Sequence, residues 1–205
     1  IREMVQACIQ CGTCSASCPH GPVSDYRVRH FIRLAQLGLE GYEGDALWRC
    51  SSCKLCVDRC PREVAIIDVI RSVRLIMHEM GTVPAPLRAM LGSVRSGGNP
   101  LAGEAEQRFE WMKAVAPSAA IPAYGEGVEI LLSTCCTLGY DPRATKVGRA
   151  LLRLLDKADV SYGILPGEQC CGELVAAVGA DELAAQLRES NSAAISGSGA
   201  TRMVT

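Results

Sequence analysis

The chain has little aromatic bulk: two Trp, five Tyr and two Phe among 205 residues. Rings cannot supply most of its core volume, which falls to aliphatic side chains and to whatever else is abundant. No apolar run approaches the roughly 18 to 20 residues that span a bilayer. The N-terminus also lacks the basic and apolar pattern of a secretory signal. Neither sign of charge dominates, since 21 Lys+Arg and 22 Asp+Glu are scattered along the chain for a net charge of -1. That excludes the basic stripe by which proteins hold nucleic acid. Phosphate-cradling loops are missing too: GEGVEI lacks the third glycine of a dinucleotide fingerprint, and no Walker pattern occurs. A flavin, if one is used, is therefore expected on a partner. The length suits one ordinary domain or two small ones, and because residue 1 is Ile, an upstream segment is expected.

Cysteine is what the chain has in excess, with twelve residues. A disulfide framework belongs to short exported chains, whereas this one carries long helical patterns and no export signal. The cysteines repeat. Cys8, Cys11, Cys14 and Cys18 precede Pro19, Cys50, Cys53, Cys56 and Cys60 precede Pro61, and both runs read CxxCxxCxxxCP. This is the bacterial ferredoxin spacing, in which three close thiolates wrap one [4Fe-4S] cube and the fourth ligates the other. The expected ligand sets are Cys8, Cys11, Cys14 and Cys60 for one cluster, and Cys50, Cys53, Cys56 and Cys18 for the second. A CxxCxxC loop caps three corners of a cube and is too short to reach the fourth. The proline after the distant cysteine fixes φ and turns the chain. Zinc is the competing metal, but its sites use two CxxC pairs and do not call for a third close cysteine.

Between the runs, SDYRVRHFIRLAQLGL predicts a helix capped at Ser24 or Asp25, with Val28, Phe31, Ile32 and Leu34 to Leu39 at helical spacing and a pause at Gly38. After Pro61 a second helix is expected to bury Val64, Ile67, Ile70, Val73, Leu75, Ile76 and Met80, with Gly81 as its cap and Met77 and Met80 as core filling. Residues 81–126 are rich in proline and glycine and read as a connector, apart from a short helical piece around Phe109 to Val115. Trp48 and Trp111 are expected to anchor one module on the other. His20, His30 and His78 are dispersed and read as surface or packing residues. From residue 127, strands at GVEILL and SYGIL and near the C-terminus alternate with helices. One of these helices carries Val147, Ala150, Leu151, Leu154 and Leu155 on one face. That alternation implies a parallel α/β unit, with Cys135, Cys136, Cys170 and Cys171 near the carboxyl ends of its first two strands, where such sheets hold ligands. The fold class is thus α+β: a helical two-cluster module over 1–80, the connector, and a cysteine-rich α/β domain over 127–205.

These motifs carry a resemblance. The paired CxxCxxCxxxCP runs resemble the iron-sulfur subunit of heterodisulfide reductases, and STCCTLGYDPR followed by EQCCG resembles the cysteine-rich CCG domain of their catalytic subunit. Joined in one chain, they resemble the fused catalytic subunit of the membrane-associated heterodisulfide reductases. Related proteins are the iron-sulfur protein of the sulfite-reduction membrane complex and the electron-transfer-flavoprotein oxidoreductases. The resemblance implies a third, noncubane iron-sulfur cluster in the CCG domain. Cys136 matches the family's first cysteine, and Cys170, Cys171 and Gly172 match its triplet. Cys135 falls where the family more often has glycine. The family's final CxxC pair would lie just past residue 205, so the domain is expected to be incomplete as given. Without the resemblance, Cys170 and Cys171 read equally as a vicinal disulfide or as buried thiols. Gly172 is expected to let backbone or substrate approach the cluster closely.

The implied activity is electron relay through the two cubes to a CCG-domain centre at Cys136, Cys170 and Cys171, where a disulfide is reduced or thiols are oxidised. The alternatives are a non-catalytic wire between a flavoprotein or dehydrogenase and a quinone-linked or soluble acceptor, and a two-cluster ferredoxin fused to a structural domain. Implied partners are a flavoprotein or other redox subunit and a cytochrome b-like membrane subunit. The implied location is cytoplasmic, peripheral on the membrane through that partner.

Overall fold

The computed structural model describes residues 1–41, 43–115 and 122–205. The chain forms two compact units, one of Ile1–Pro84 with Ala177–Ala180, the other of Ala85–Ala176 with Asp181–Thr205. Helices carry most of the regular structure and the strands form one small parallel sheet, an α+β arrangement.

In the first unit a short helix α1 (Arg2–Val5) leads into the first cysteine run. The loop turns twice through the left-handed region, at Gln10 (φ 59) and Gly12 (φ 87), and enters α2 (Thr13–Ser17), which places Cys14 in its first turn. Helix α3 (Val28–Leu37) begins at Arg27, later than the expected Ser24 or Asp25. Ser24 instead closes a local turn, its Oγ donating to the His20 carbonyl at 2.8 Å and accepting from the Tyr26 N–H at 3.3 Å. Gly38, at φ 65, ends the helix as expected. The second run repeats the backbone of the first: Ser52 (φ 56) and Lys54 (φ 64) occupy the left-handed positions, and α4 (Leu55–Asp58) starts before Cys56. Lys54 stands where the first loop has Gly12. A β-carbon in that conformation costs roughly 1–2 kcal/mol, partly offset by glycine's greater loss of backbone entropy. Lys54→Gly is therefore expected to raise stability by about 0.5–1 kcal/mol in urea unfolding, and Gly12→Ala to lower it. Two shifts of the same sign would rule out the shared loop conformation.

Helix α5 (Ile66–Glu79) buries Ile66, Val69, Ile70, Val73, Arg74 and Met77. The expected face is off by part of a turn, since Ile76 is 44% exposed and Met80 70%. Much of this helix is apolar, so packing against α1 and α4, and not periodicity, chooses the buried side. The core joins Val5, Phe31, Ile32, Leu47, Val69 and Ile70, with Cys8, Cys14, Cys18, Cys50, Cys60 and Trp48 packed against it. The cysteines thus supply core volume that aromatics do not.

The second unit opens with α6 (Ala85–Gly97), which corrects the connector expectation. Pro84 and Pro86 flank the start of this helix, where an N–H would have no partner anyway, and Pro100 follows its end, so the prolines bracket it instead of breaking it. Leu91 and Val94 face inward. Asn99, fully buried, ties the following turn: Nδ2 donates to the Gly97 and Gly103 carbonyls at 3.1 and 2.7 Å, and Oδ1 accepts from the Leu101 and Gly103 N–H groups. Two 3₁₀ turns follow, Ala105–Gln107 and Glu110–Ala114. Residues 116–121 of the expected connector lie outside the described residues.

Then come β1 (Ile130–Leu132), α7 (Cys135–Tyr140), α8 (Ala144–Lys157), β2 (Tyr162–Gly163), α9 (Glu173–Val178), α10 (Asp181–Gly197) and β3 (Met203–Val204). The sheet is parallel in the order β2-β1-β3, with Ile130 opposite Tyr162 and Leu132 opposite Val204. Helix α8 again turns another face inward than expected. Thr145, Gly148 and Leu152 are buried, whereas Val147 is 68% and Leu154 64% exposed. The cause is Trp111, which lies on Gly148 so closely that a β-carbon there would come 2.7 Å from the ring. Trp111 thus packs inside the second unit, with Met112, Leu132, Leu152 and Ile164, and Trp48 against the core of the first. Gly148→Ala is expected to destabilise, because overpacking costs about 1–3 kcal/mol and the helix-propensity gain returns at most about 1 kcal/mol. A melting temperature equal to or above that of the parent would contradict this packing.

Candidate metal centres

Both cysteine runs fold around small cavities. The first is lined by Cys8, Cys11, Cys14 and Cys60, with Gln10, Arg29, Ile32 and Arg62 at its edge. The second is lined by Cys18, Cys50, Cys53 and Cys56, with His20, Tyr26 and Ile70. Each cavity therefore gathers three thiols from one run and the fourth from the other. Contact between α2 and α4 brings the two runs together. Among the described residues no three His, Cys, Asp or Glu close on a single-ion point; the thiols ring their cavities instead. Thiols alone as donors, with one histidine on the second rim, suit an iron-sulfur cluster.

The sulfurs also have donors to bear on them. Gln10 Nε2 reaches Cys8 Sγ at 3.4 Å, and the backbone N–H groups of Ser52 and Val64 reach Cys50 and Cys60 Sγ, each at 3.4 Å. As free thiols these groups respond to one another. Burial first, then the neighbouring Cys50 and Cys14, push Cys56 up to about 12. Burial also raises Cys14, while a hydrogen bond with Thr13 lowers Cys11. Crowded, half-buried thiols become anions readily only beside positive charge, which bound iron supplies.

In the second unit, β1 and β2 lie side by side, so the residues following them converge. Cys136 and Cys170 are both buried and close enough for their thiols to perturb each other. The two thiols act on each other: Cys170 is lowered by Cys136, helped against burial by the Gly172 N–H and Arg108, and Cys136 is raised by Cys170 and by burial. Cys171 is exposed like Cys135, and both line a cavity of about 290 Å³ with Ser133, Gln169, Arg188 and Asn191. Cys135, at the position where the resemblance implies glycine, has φ 43, in the left-handed region. Gly172 has φ 85, and a β-carbon there would point toward Ala184 and Leu187 of α10 at 3.4–3.5 Å. The glycine's left-handed backbone thus forms a tight turn against α10.

Two residues here have no place in the motif. Arg108, 3% exposed, donates through Nη1 to Cys136 Sγ at 3.5 Å and through Nη2 to Glu168 Oε1 at 3.1 Å and the Gln169 carbonyl at 3.3 Å. Burial works against its charge, but Cys136 and Glu168 outweigh burial and hold its pKa above the usual value. Glu168 also accepts from the Thr134 and Cys135 N–H groups at 3.3 and 3.1 Å. Asn99's turn contributes as well, since the neighbouring Gly98 carbonyl accepts the Cys170 N–H at 2.7 Å. Sequence spacing carried no sign of Arg108, which lies in the supposed connector; Glu168 had only its nearness to Cys170.

A helical unit with two four-thiol cavities, followed by a unit whose parallel sheet gathers further cysteines, marks an iron-sulfur protein. Residues 4–64 match the family described as a 4Fe-4S dicluster domain, and residues 130–205 the family described as a cysteine-rich domain. An iron-sulfur subunit of the CoB-CoM heterodisulfide reductase of Methanopyrus kandleri is 47% identical over 79 residues, covering 38% of this chain and 41% of that protein. One subunit of the ferredoxin:CoB-CoM heterodisulfide reductase of Methanosarcina mazei is 30% identical over 145 residues, 69% of this chain and 90% of its own length. EtfAB:quinone oxidoreductase of Syntrophomonas wolfei is 30% identical over 145 residues, 68% of this chain and 20% of that protein. The match spans 41% to 50% of the length of three heterodisulfide reductase subunits, the Methanopyrus protein among them. The chain belongs to the family of heterodisulfide reductase iron-sulfur subunits, and its cofactors are iron-sulfur clusters. Among the described residues no helix is long and apolar enough to cross a membrane.

Proposed function

We propose that the protein passes electrons through two [4Fe-4S] clusters, held by Cys8, Cys11, Cys14 and Cys60 and by Cys50, Cys53, Cys56 and Cys18, to a noncubane centre in its cysteine-rich domain. Cys136, Cys170 and Cys171 are the residues of that centre, and a disulfide is reduced there, or thiols oxidised. The observation that carries the reading is the gathering of Cys136 and Cys170 beside a buried arginine at the carboxyl end of a parallel sheet, in a chain that also has two four-thiol cavities. Clusters at these positions would supply one-electron storage. The chain's own groups supply the rest. Arg108 offsets negative charge at Cys136, Glu168 fixes Arg108, and the turn at Gly98 holds the Cys170 backbone. Reducing one disulfide to two thiols takes two electrons and two protons. The electrons come from a redox partner, for which we propose a flavoprotein or similar subunit. A cytochrome b-like membrane subunit would tie the complex to the cytoplasmic membrane face.

The test is an anaerobic EPR redox titration of the full-length protein, with and without a small thiol. Two interacting reduced cubane signals plus an oxidised-state signal that changes with the thiol are expected. Cys136→Ser or Cys170→Ser should abolish the thiol-sensitive signal and leave the cubanes. Two cubane signals with no thiol-sensitive species would reduce the protein to an electron wire.

A further inference from the structure

The second thiol cavity is lined by one buried polar side chain without a partner among the described residues, Tyr26, and a buried arginine, Arg74, reaches the carbonyl of one of its cysteines, Cys50. Tyr26 is 3% exposed and lines the cavity with Cys18, Cys50, Cys53 and Cys56, yet among the described residues its hydroxyl has no hydrogen-bond partner. A buried hydroxyl without an acceptor is costly, so such groups mark an acceptor still to be supplied. Arg74 of α5 is 4% exposed. Its guanidinium donates to the carbonyls of Leu47 and Cys50, both at 2.8 Å, and of Ala177 at 2.9 Å, and lies 5.3 Å from the Trp48 ring centroid. Its Nε is buried without a partner among the described residues. All of these neighbours are neutral, and Arg74 forms no salt bridge to a carboxylate among the described residues. Buried arginines normally face an anion, because removing a lone cation from water is expensive. The charged or ionisable groups that act on Arg74 are the Cys50 thiol and the Tyr26 hydroxyl.

A cube ligated by four thiolates is a net anion, and reduction adds one more negative charge. Its potential answers to nearby charge and to hydrogen bonds on its sulfurs. We infer that Arg74 is the fixed counter-charge, and the Tyr26 hydroxyl a hydrogen-bond donor, of the centre held by Cys18, Cys50, Cys53 and Cys56, and that together they raise its reduction potential. This rests on the proposed ligand set for that cavity. Among the described residues the first cavity has no counterpart: the cations at its edge, Arg29 and Arg62, are exposed, where water and salt screen them. Arg74 sits on the buried stripe of α5, one turn after Ile70 and three residues before Met77, and is held to the site through the Cys50 carbonyl.

The experiment is an EPR-monitored potentiometric titration of the full-length protein, with the two cubane signals assigned through Cys11→Ser and Cys53→Ser. Arg74→Met is expected to make reduction of the Cys53-dependent signal about tenfold less favourable, which is about 59 mV for one electron. Tyr26→Phe should shift it in the same direction by less, and Arg74→Lys should restore most of the parent value. The Cys11-dependent signal should not move in any of the three. Unchanged potentials in Arg74→Met and Tyr26→Phe, with both clusters loaded, would overturn the inference and leave the two-cluster reading standing. A parent protein with no Cys53-dependent signal would overturn both. Where Arg74→Met fails to fold, Tyr26→Phe decides alone: a lowered potential supports the inference and an unchanged one overturns it.

Discussion

Arg108→Met is expected to destabilise the second unit by about 3 kcal/mol, near the lower end of what breaking a buried ion pair costs. The methionine can refill the volume but not the charge. Glu168, whose side chain is 10% exposed, would keep its carboxylate while losing the guanidinium 3.1 Å away. The cost stays at the lower end because the N–H groups of Thr134 and Cys135 still bond that carboxylate. Adding Glu168→Gln to the same chain removes the uncompensated charge, so the double variant should recover at least about 1 kcal/mol relative to Arg108→Met, as coupled neighbours do. Urea unfolding of the four proteins checks this. A double variant that loses the sum of the two single effects would show that Arg108 and Glu168 act independently. Because Arg108 also touches Cys136 Sγ, the single variant should increase alkylation of Cys136 in iron-free protein under mild denaturation, as local opening becomes easier.

Cys60→Ser is expected to eliminate the same cubane EPR signal as Cys11→Ser, and Cys18→Ser the same signal as Cys53→Ser, each with loss of about half of the cubane iron. These pairings join residues from different runs. They follow from cavities lined by Cys8, Cys11, Cys14 and Cys60 on one side and Cys18, Cys50, Cys53 and Cys56 on the other. If Cys18→Ser instead removed the Cys11-dependent signal, each run would wrap its own cluster and the crossed ligand sets would be wrong. Iron and sulfide content measured beside the spectra separates loss of one cluster from a change in its spin state. Removing all iron should loosen both loops together, since α2 and α4 contact each other and their cysteines pack against the unit's core.

Much of the candidate site could be read from residue spacing. A CxxCxxCxxxCP run is a local instruction: its ligands are separated by two or three residues, and the backbone between them has few ways to point three thiols inward. The repeated left-handed positions, Gln10 and Gly12 in one loop and Ser52 and Lys54 in the other, are the structural form of that repeat. The strand-helix alternation after residue 127 and the helix stop at Gly38 were legible for the same reason, being set by near neighbours.

The countercharges and the packing faces were not legible. Arg108 reaches Cys136, and Arg74 the Cys50 carbonyl, from far along the chain, and a lone arginine in a supposed connector or in an apolar helix carries no spacing signal. The inward faces of α5 and α8 were also decided elsewhere: on α8 the ring of Trp111 selects Gly148 over the larger Val147 and Leu154, which periodicity favours. The sequence by itself therefore determined the kind of cofactor, because ligand spacing is a short-range property of the chain. Only the tertiary structure decided which cations stand beside the thiols and which helix faces are buried, because charge and packing act through space between segments that the sequence keeps apart.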